Sequence, residues 1–113
     1  MGVIQHHSVI ITGHLCCINE LEKVYNFSQE LFYDLVSPII NAKYNSYKFF
    51  FIAPDGSKEN WKESDDYDTK RYKLFSFIDS FKCGDGSNPV NYAEVSHGEY
   101  GSFVKSHNHL LTN

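Results

Sequence analysis

At 113 residues, 42% of them hydrophobic, the chain can build one core and one domain, spanning 1–113. A formal net charge of -4 excludes general affinity for a nucleic-acid backbone, which needs a basic surface to release counterions. Cys16, Cys17 and Cys83 have neither disulfide-framework nor metal spacing, and no apolar run reaches membrane-spanning length, so a soluble cytoplasmic protein with reduced thiols and no membrane partner is expected.

Residues Val3 to Thr12 are β-branched towards their end and stopped by Gly13, which reads as a strand. Asn19 with Glu22 three residues on forms a capping box. Leu21, Val24, Tyr25, Ser28, Leu31, Phe32, Leu35 and Val36 then repeat at helical spacing, and Ser37-Pro38 closes the helix because the residue before proline is pushed out of the α region. Residues 39–46 read as a connection with turns at Asn41, Asn45 and Ser46. Tyr47 to Ile52 is a continuous apolar run of strand length, bounded by Pro54 and Gly56.

A polar loop follows, and Ser64 or Asp65 is placed to cap a second helix whose inward stripe is Tyr67, Arg71 by its stem, Leu74, Phe75, Ile78 and Phe81. Residues 83–89 are a loop. Tyr92 to His97 and Ser102 to His107 flank Gly98-Glu-Tyr-Gly101 as a β-hairpin, and 108–113 is expected to be a frayed tail. The order βαβαββ implies an α+β two-layer sandwich: a mixed four-stranded sheet with both helices on one face. The other face carries Phe50, Ile52 and alternate residues of the first strand, which suggests cover by another subunit and hence a homo-oligomer.

The chemistry-bearing residues are sparse. His6 and His7 are strand neighbours pointing to opposite faces, so they cannot share a metal ion. His6-x-Ser8 is half of the His-x-Ser/Thr pattern that two-histidine phosphodiesterases use twice, and the late candidate His107-Asn-His109 lacks the hydroxyl residue. His97 sits near the hairpin turn and adds no third ligand to His107 and His109, so no metal is expected. The acidic run from Asp55 to Asp66 has Asn60 where a calcium loop needs glycine and Asp66 where it needs a bidentate Glu. No phosphate cradle or nucleophile elbow is present. No catalytic residue and no cofactor are assigned.

The loop between strand and helix holds Ser57, Lys58, Trp61, Ser64, Asp65 and, on the helix, Arg71. An indole beside cations and hydroxyls is equipment for stacking a base and holding phosphate. With a hydrogen bond from His6 or His7, these residues make a candidate ligand site. Each also has a plainer reading: Trp61 plugging the core edge, Ser64 capping, Asp68 and Arg71 an i,i+3 pair.

His-His-Ser-Val-Ile-Ile-Thr-Gly at 6–13, Val-Ser-Pro-Ile at 36–39 and Phe-Phe-Ile-Ala-Pro-Asp-Gly-Ser-Lys-Glu-Asn-Trp at 50–61 resemble a family of short bacteriophage-encoded proteins. The continuation Ser-Asp-x-x-Asp-x-x-Arg at 64–71, Asp-Gly-Ser-Asn-Pro at 85–89 and Tyr-Ala-Glu-Val at 92–95 are similar to it as well; the tail and Cys16-Cys17 depart from it. The resemblance implies an anti-defence role in the host cytoplasm. Three activities follow as expectations: non-enzymatic sequestration of a nucleotide messenger of the cyclic dinucleotide class in an oligomer, inhibition of a host protein through the aromatic sheet face, or a histidine-dependent phosphodiesterase.

Overall fold

A computed structural model describes residues 3–109. The chain runs β1 (Gln5–His14), α1 (Ile18–Phe32), β2 (Ile40–Asn41), β3 (Tyr47–Ile52), α2 (Lys62–Asp79), β4 (Val90–Gly98) and β5 (Gly101–His107). The α+β architecture with two helices is as expected. The sheet is five-stranded rather than four-stranded, in the order β2-β3-β1-β4-β5, and wholly antiparallel rather than mixed. The extra strand is the two-residue β2, formed because the left-handed turn at Asn45 and Ser46 (φ 64° and 58°) folds Ile40 back onto Phe49. Two residues carry too little periodicity to announce themselves.

Strand parity decides everything that follows. Val9 opposes Ile52 on one side and Glu94 on the other, so the odd residues of β1 and the even residues of β3 and β4 face the helices. Val9, Ile11, Phe50, Ile52, Val90 and Tyr92 meet Leu21, Val24 and Phe32 of α1 and Leu74, Phe75 and Ile78 of α2 in one core. Phe50 and Ile52 therefore lie in the core and not on the open face, and Phe51 takes the outward position between them. Phe75 and Tyr92 stack face to face with ring centroids 4.0 Å apart, tying α2 to β4.

Helix boundaries differ from the sequence reading at three ends. His14 Nδ1 accepts from Cys16 N and starts a 3-10 turn, Leu15–Cys17, so α1 begins one residue before Asn19 and the capping box is not used. It stops at Phe32, four residues before Val36, where Tyr33 takes φ 51°, ψ −122°, a backbone state rare for a bulky residue. The following 33–38 segment packs along β3 instead: Ser37 N donates to Phe51 O, Ala53 N to Leu35 O, and Val36 bridges Ile52. α2 begins at Lys62 behind Trp61, ahead of Ser64, and neither Ser64 nor Asp65 caps it.

The β4–β5 hairpin turns through Glu99 and Tyr100 as its glycines require. A Cβ at Gly98 (φ 150°) would stand 2.4 Å from the Ile4 carbonyl oxygen. Buried Gln5 staples the hairpin: its amide donates to Ser96 Oγ and to Gly101 O, and its Oε1 accepts from Tyr100 N. Asn108, expected to fray, is pinned: its Nδ2 donates to Asp79 Oδ1 and Val90 O, and its Oδ1 accepts from Tyr92 N. Residues 110–113 of the expected tail lie outside the described residues.

Candidate functional site

The expected loop site does not assemble. Arg71 is 4% exposed, with Nε 3.2 Å from Glu94 Oε2 and Nη2 bonded to Asp68, so its charge is spent on carboxylates inside the fold. Sequence spacing shows the Asp68–Arg71 pair but not Glu94, which only the β4 register delivers. Ser64 is buried. His7 faces the interior, its Nε2 2.7 Å from Glu59 Oε1 and its Nδ1 3.7 Å from Glu94 Oε2. Lys105, the residue extruded by a bulge opposite Glu94 and Val95, reaches Glu94 Oε2 at 3.9 Å. These groups form one polar cluster between sheet and α2, carboxylates facing nitrogen donors, and the concavity beside it holds about 20 Å³, too little for a ligand. Its work is structural: Glu59 reaches in from the 53–61 loop and pins it over the end of β1, where Glu59 N also donates to Val3 O.

Trp61 remains outside, 46% exposed, as the expectation required. The shallow surface beside it is formed by Asp55, Gly56, Ser57, Glu63 and Tyr67, so what surrounds the indole is acidic. Lys58 does not line it, Lys62 pairs with Asp66 at 3.5 Å, and Asp65 is exposed on the first turn of α2. Two like charges beside the ring repel a phosphate.

The larger concavity lies on the open face of the sheet, with a volume of about 630 Å³. Ser8 and Ile10 of β1, Phe51 of β3, and Val95 and His97 of β4 form its floor, and the 34–38 segment is its wall. It is mainly apolar, the character expected of a site that buries a ligand. At one end the rings of His6 and His97, a cross-strand pair, stand 5.2 Å apart, and Ser8 Oγ lies 3.4 Å from His97 Nε2. His6 Nδ1 is buried with no hydrogen-bond partner among the described residues. The strained Tyr33 begins the wall segment.

Of the residues expected to bind ligand, only His6 belongs to this region. Ser8, Phe51, Val95 and His97 were missed, although the alternation of β4 puts Ala93, Val95 and His97 on one face and Tyr92, Glu94 and Ser96 on the other. Among the described residues no cluster of three or more His, Cys, Asp or Glu side chains is arranged to hold a metal ion. No helix among them is long and apolar enough to cross a membrane.

Comparison with known proteins adds no relative: no family model, curated protein or solved structure matches this chain.

Proposed function

We propose that this chain is a non-enzymatic binding protein that holds a small, flat ligand in the open-face groove. The observation that carries the reading is the groove itself: about 630 Å³ of mainly apolar concavity built on strands, with Ser8 and His97 on its floor and Asp34 and Ser37 on its wall. The nucleotide messenger implied by the phage resemblance keeps its place as the ligand class, at a different site from the Trp61 loop. A base stacks on Phe51 and the aliphatic floor, where contact is worth about 1–3 kcal/mol. The phosphates stay at the rim beside His6 and His97, because no Lys or Arg lines the groove. An anti-defence role for such sequestration rests on the same resemblance.

The test is a thermal-shift panel of nucleosides, mononucleotides and cyclic dinucleotides. At least one is expected to raise the melting temperature of the wild-type chain and of Trp61→Ala, and to leave Phe51→Ala unmoved. A panel that shifts nothing, or a shift lost only in Trp61→Ala, rejects the groove.

The His6–His97 pair favours a second reading, histidine-dependent hydrolysis of a phosphodiester. One imidazole would take the proton of the attacking water, the other would give a proton to the departing oxygen, and Ser8 would orient His97. Chromatography of the same incubations separates the readings: ligand recovered intact supports binding, and product formation abolished in both His6→Ala and His97→Ala supports hydrolysis.

A further inference from the structure

An antiparallel sheet with one solvated face ordinarily alternates core-facing apolar residues with outward polar ones, charged side chains among them. Here the outward strand positions are uncharged. The outward positions of β1 are His6, Ser8, Ile10, Thr12 and His14, and β4 presents Asn91, Ala93, Val95 and His97. β3 adds Tyr47, Phe49 and Phe51, and β5 adds Ser102, Val104 and His107; Ile40 of β2 lies opposite Phe49. Not one Asp, Glu, Lys or Arg stands among them, although 21% of the chain is charged. The one cation that the β5 bulge could have put there, Lys105, is turned through to Glu94 on the helix side. Phe51 and Val104 are left 40% and 58% exposed on this face.

We infer that the open face is covered by a second copy of this chain, the two sheets packing face to face about a two-fold axis. Charge selects this occupant. A chain with net charge −4 recognises a different protein most readily through complementary charge, and the strand positions of this face offer none; the charged residue that lines its groove is Asp34, on the flanking wall. Two like-charged copies can meet across these strand positions without setting like charges against each other, and a two-fold contact requires only that the patch suit itself. The area is that of a small interface. Four full strands and one short one hold 34 residues, which at about 3.3 Å rise and about 4.8 Å spacing present about 540 Å². That is just under the roughly 600 Å² per partner at the lower end of specific interfaces. This inference stands on the missing charges and not on any ligand, yet it deepens the binding reading: the second copy roofs the groove and turns an open trough into a closed chamber.

Sedimentation equilibrium without ligand tests it, across a wide micromolar range. The wild-type chain is expected at twice its 13.0 kDa mass. Val95→Glu and Ile10→Lys are expected at the single-chain mass with unchanged circular dichroism. Tyr72→Asp, which alters an exposed side chain on the helical layer, is expected to stay dimeric. Hydroxyl-radical footprinting of the wild-type chain needs no variant: Phe51 should gain protection with rising concentration while Tyr72 does not. A monomer throughout the range, a dimer untouched by both face variants, or protection at Tyr72 instead of Phe51 overturns the inference. None of these results depends on whether the nucleotide panel finds a ligand.

Discussion

Arg71 and Glu94 meet 3.2 Å apart in the space between α2 and the sheet, at 4% and 3% exposure. The chain's single Arg is thereby a structural cation, and a ligand site built on it cannot form. Each partner offsets the cost of burying the other. Removing Arg71 as Arg71→Met leaves Glu94 with only the longer contacts to His7 and Lys105, and should cost about 3–5 kcal/mol in urea denaturation. The double variant Arg71→Met with Glu94→Leu should recover most of that loss, since it removes both charges. A single variant as stable as the wild type would show that the pair is not the joint described here.

Glu59 tethers the 53–61 loop through His7. Glu59→Ala should cost about 1.5–3 kcal/mol, in the range of a charged hydrogen bond. It should also speed amide exchange at Lys58 to Trp61 while leaving β4 protected. Uniform loss of protection through the core would mean that the contact holds the fold, not the loop.

Tyr92 joins α2 to the sheet by stacking on Phe75 and donating its hydroxyl to Asp79 Oδ2 at 3.3 Å. Burial first, then the Asp79 carboxylate, pushes its phenol up to about 12 from an ordinary 10.0. The folded state thus holds the proton more tightly than the unfolded chain. Its contribution to stability is complete below pH 10.0 and fades as pH rises through 12. Unfolding curves taken up that range should show the loss in the wild type and a shallower one in Tyr92→Phe.

Burial, followed by the hydrogen bond to Cys16, raises the Cys17 thiol to about 11. The thiolate is the nucleophile, so alkylation of Cys17, mapped by mass spectrometry, should be slow near neutrality and accelerate towards that value. Rapid labelling at neutral pH would contradict the burial.

The elements were legible where periodicity is long. The Leu21–Val24–Ser28–Phe32 spacing gave α1, the Tyr67–Arg71–Leu74–Ile78 spacing gave α2, and two glycines gave the hairpin. The ends were less so, because Tyr33 adopts a strained backbone that no local signal demands, and because a 3-10 turn uses His14 in place of the Asn19 capping box. The site was hidden for a different reason. His6, Phe51 and His97 come from three strands, and which of them adjoin is a matter of register, which turn geometry and the core set together. Trp61, Lys58 and Arg71 looked like a site because they are neighbours in sequence. In space the arginine faces inward and the indole outward.

The most direct check is a titration of isotope-labelled protein with the nucleotide panel, followed residue by residue by NMR. Binding in the groove predicts that the shifts concentrate at Ser8, Ile10, Phe51, Val95 and His97, with Trp61 and Ser57 unaffected. Shifts centred on Trp61, or none from any ligand in the panel, would contradict it.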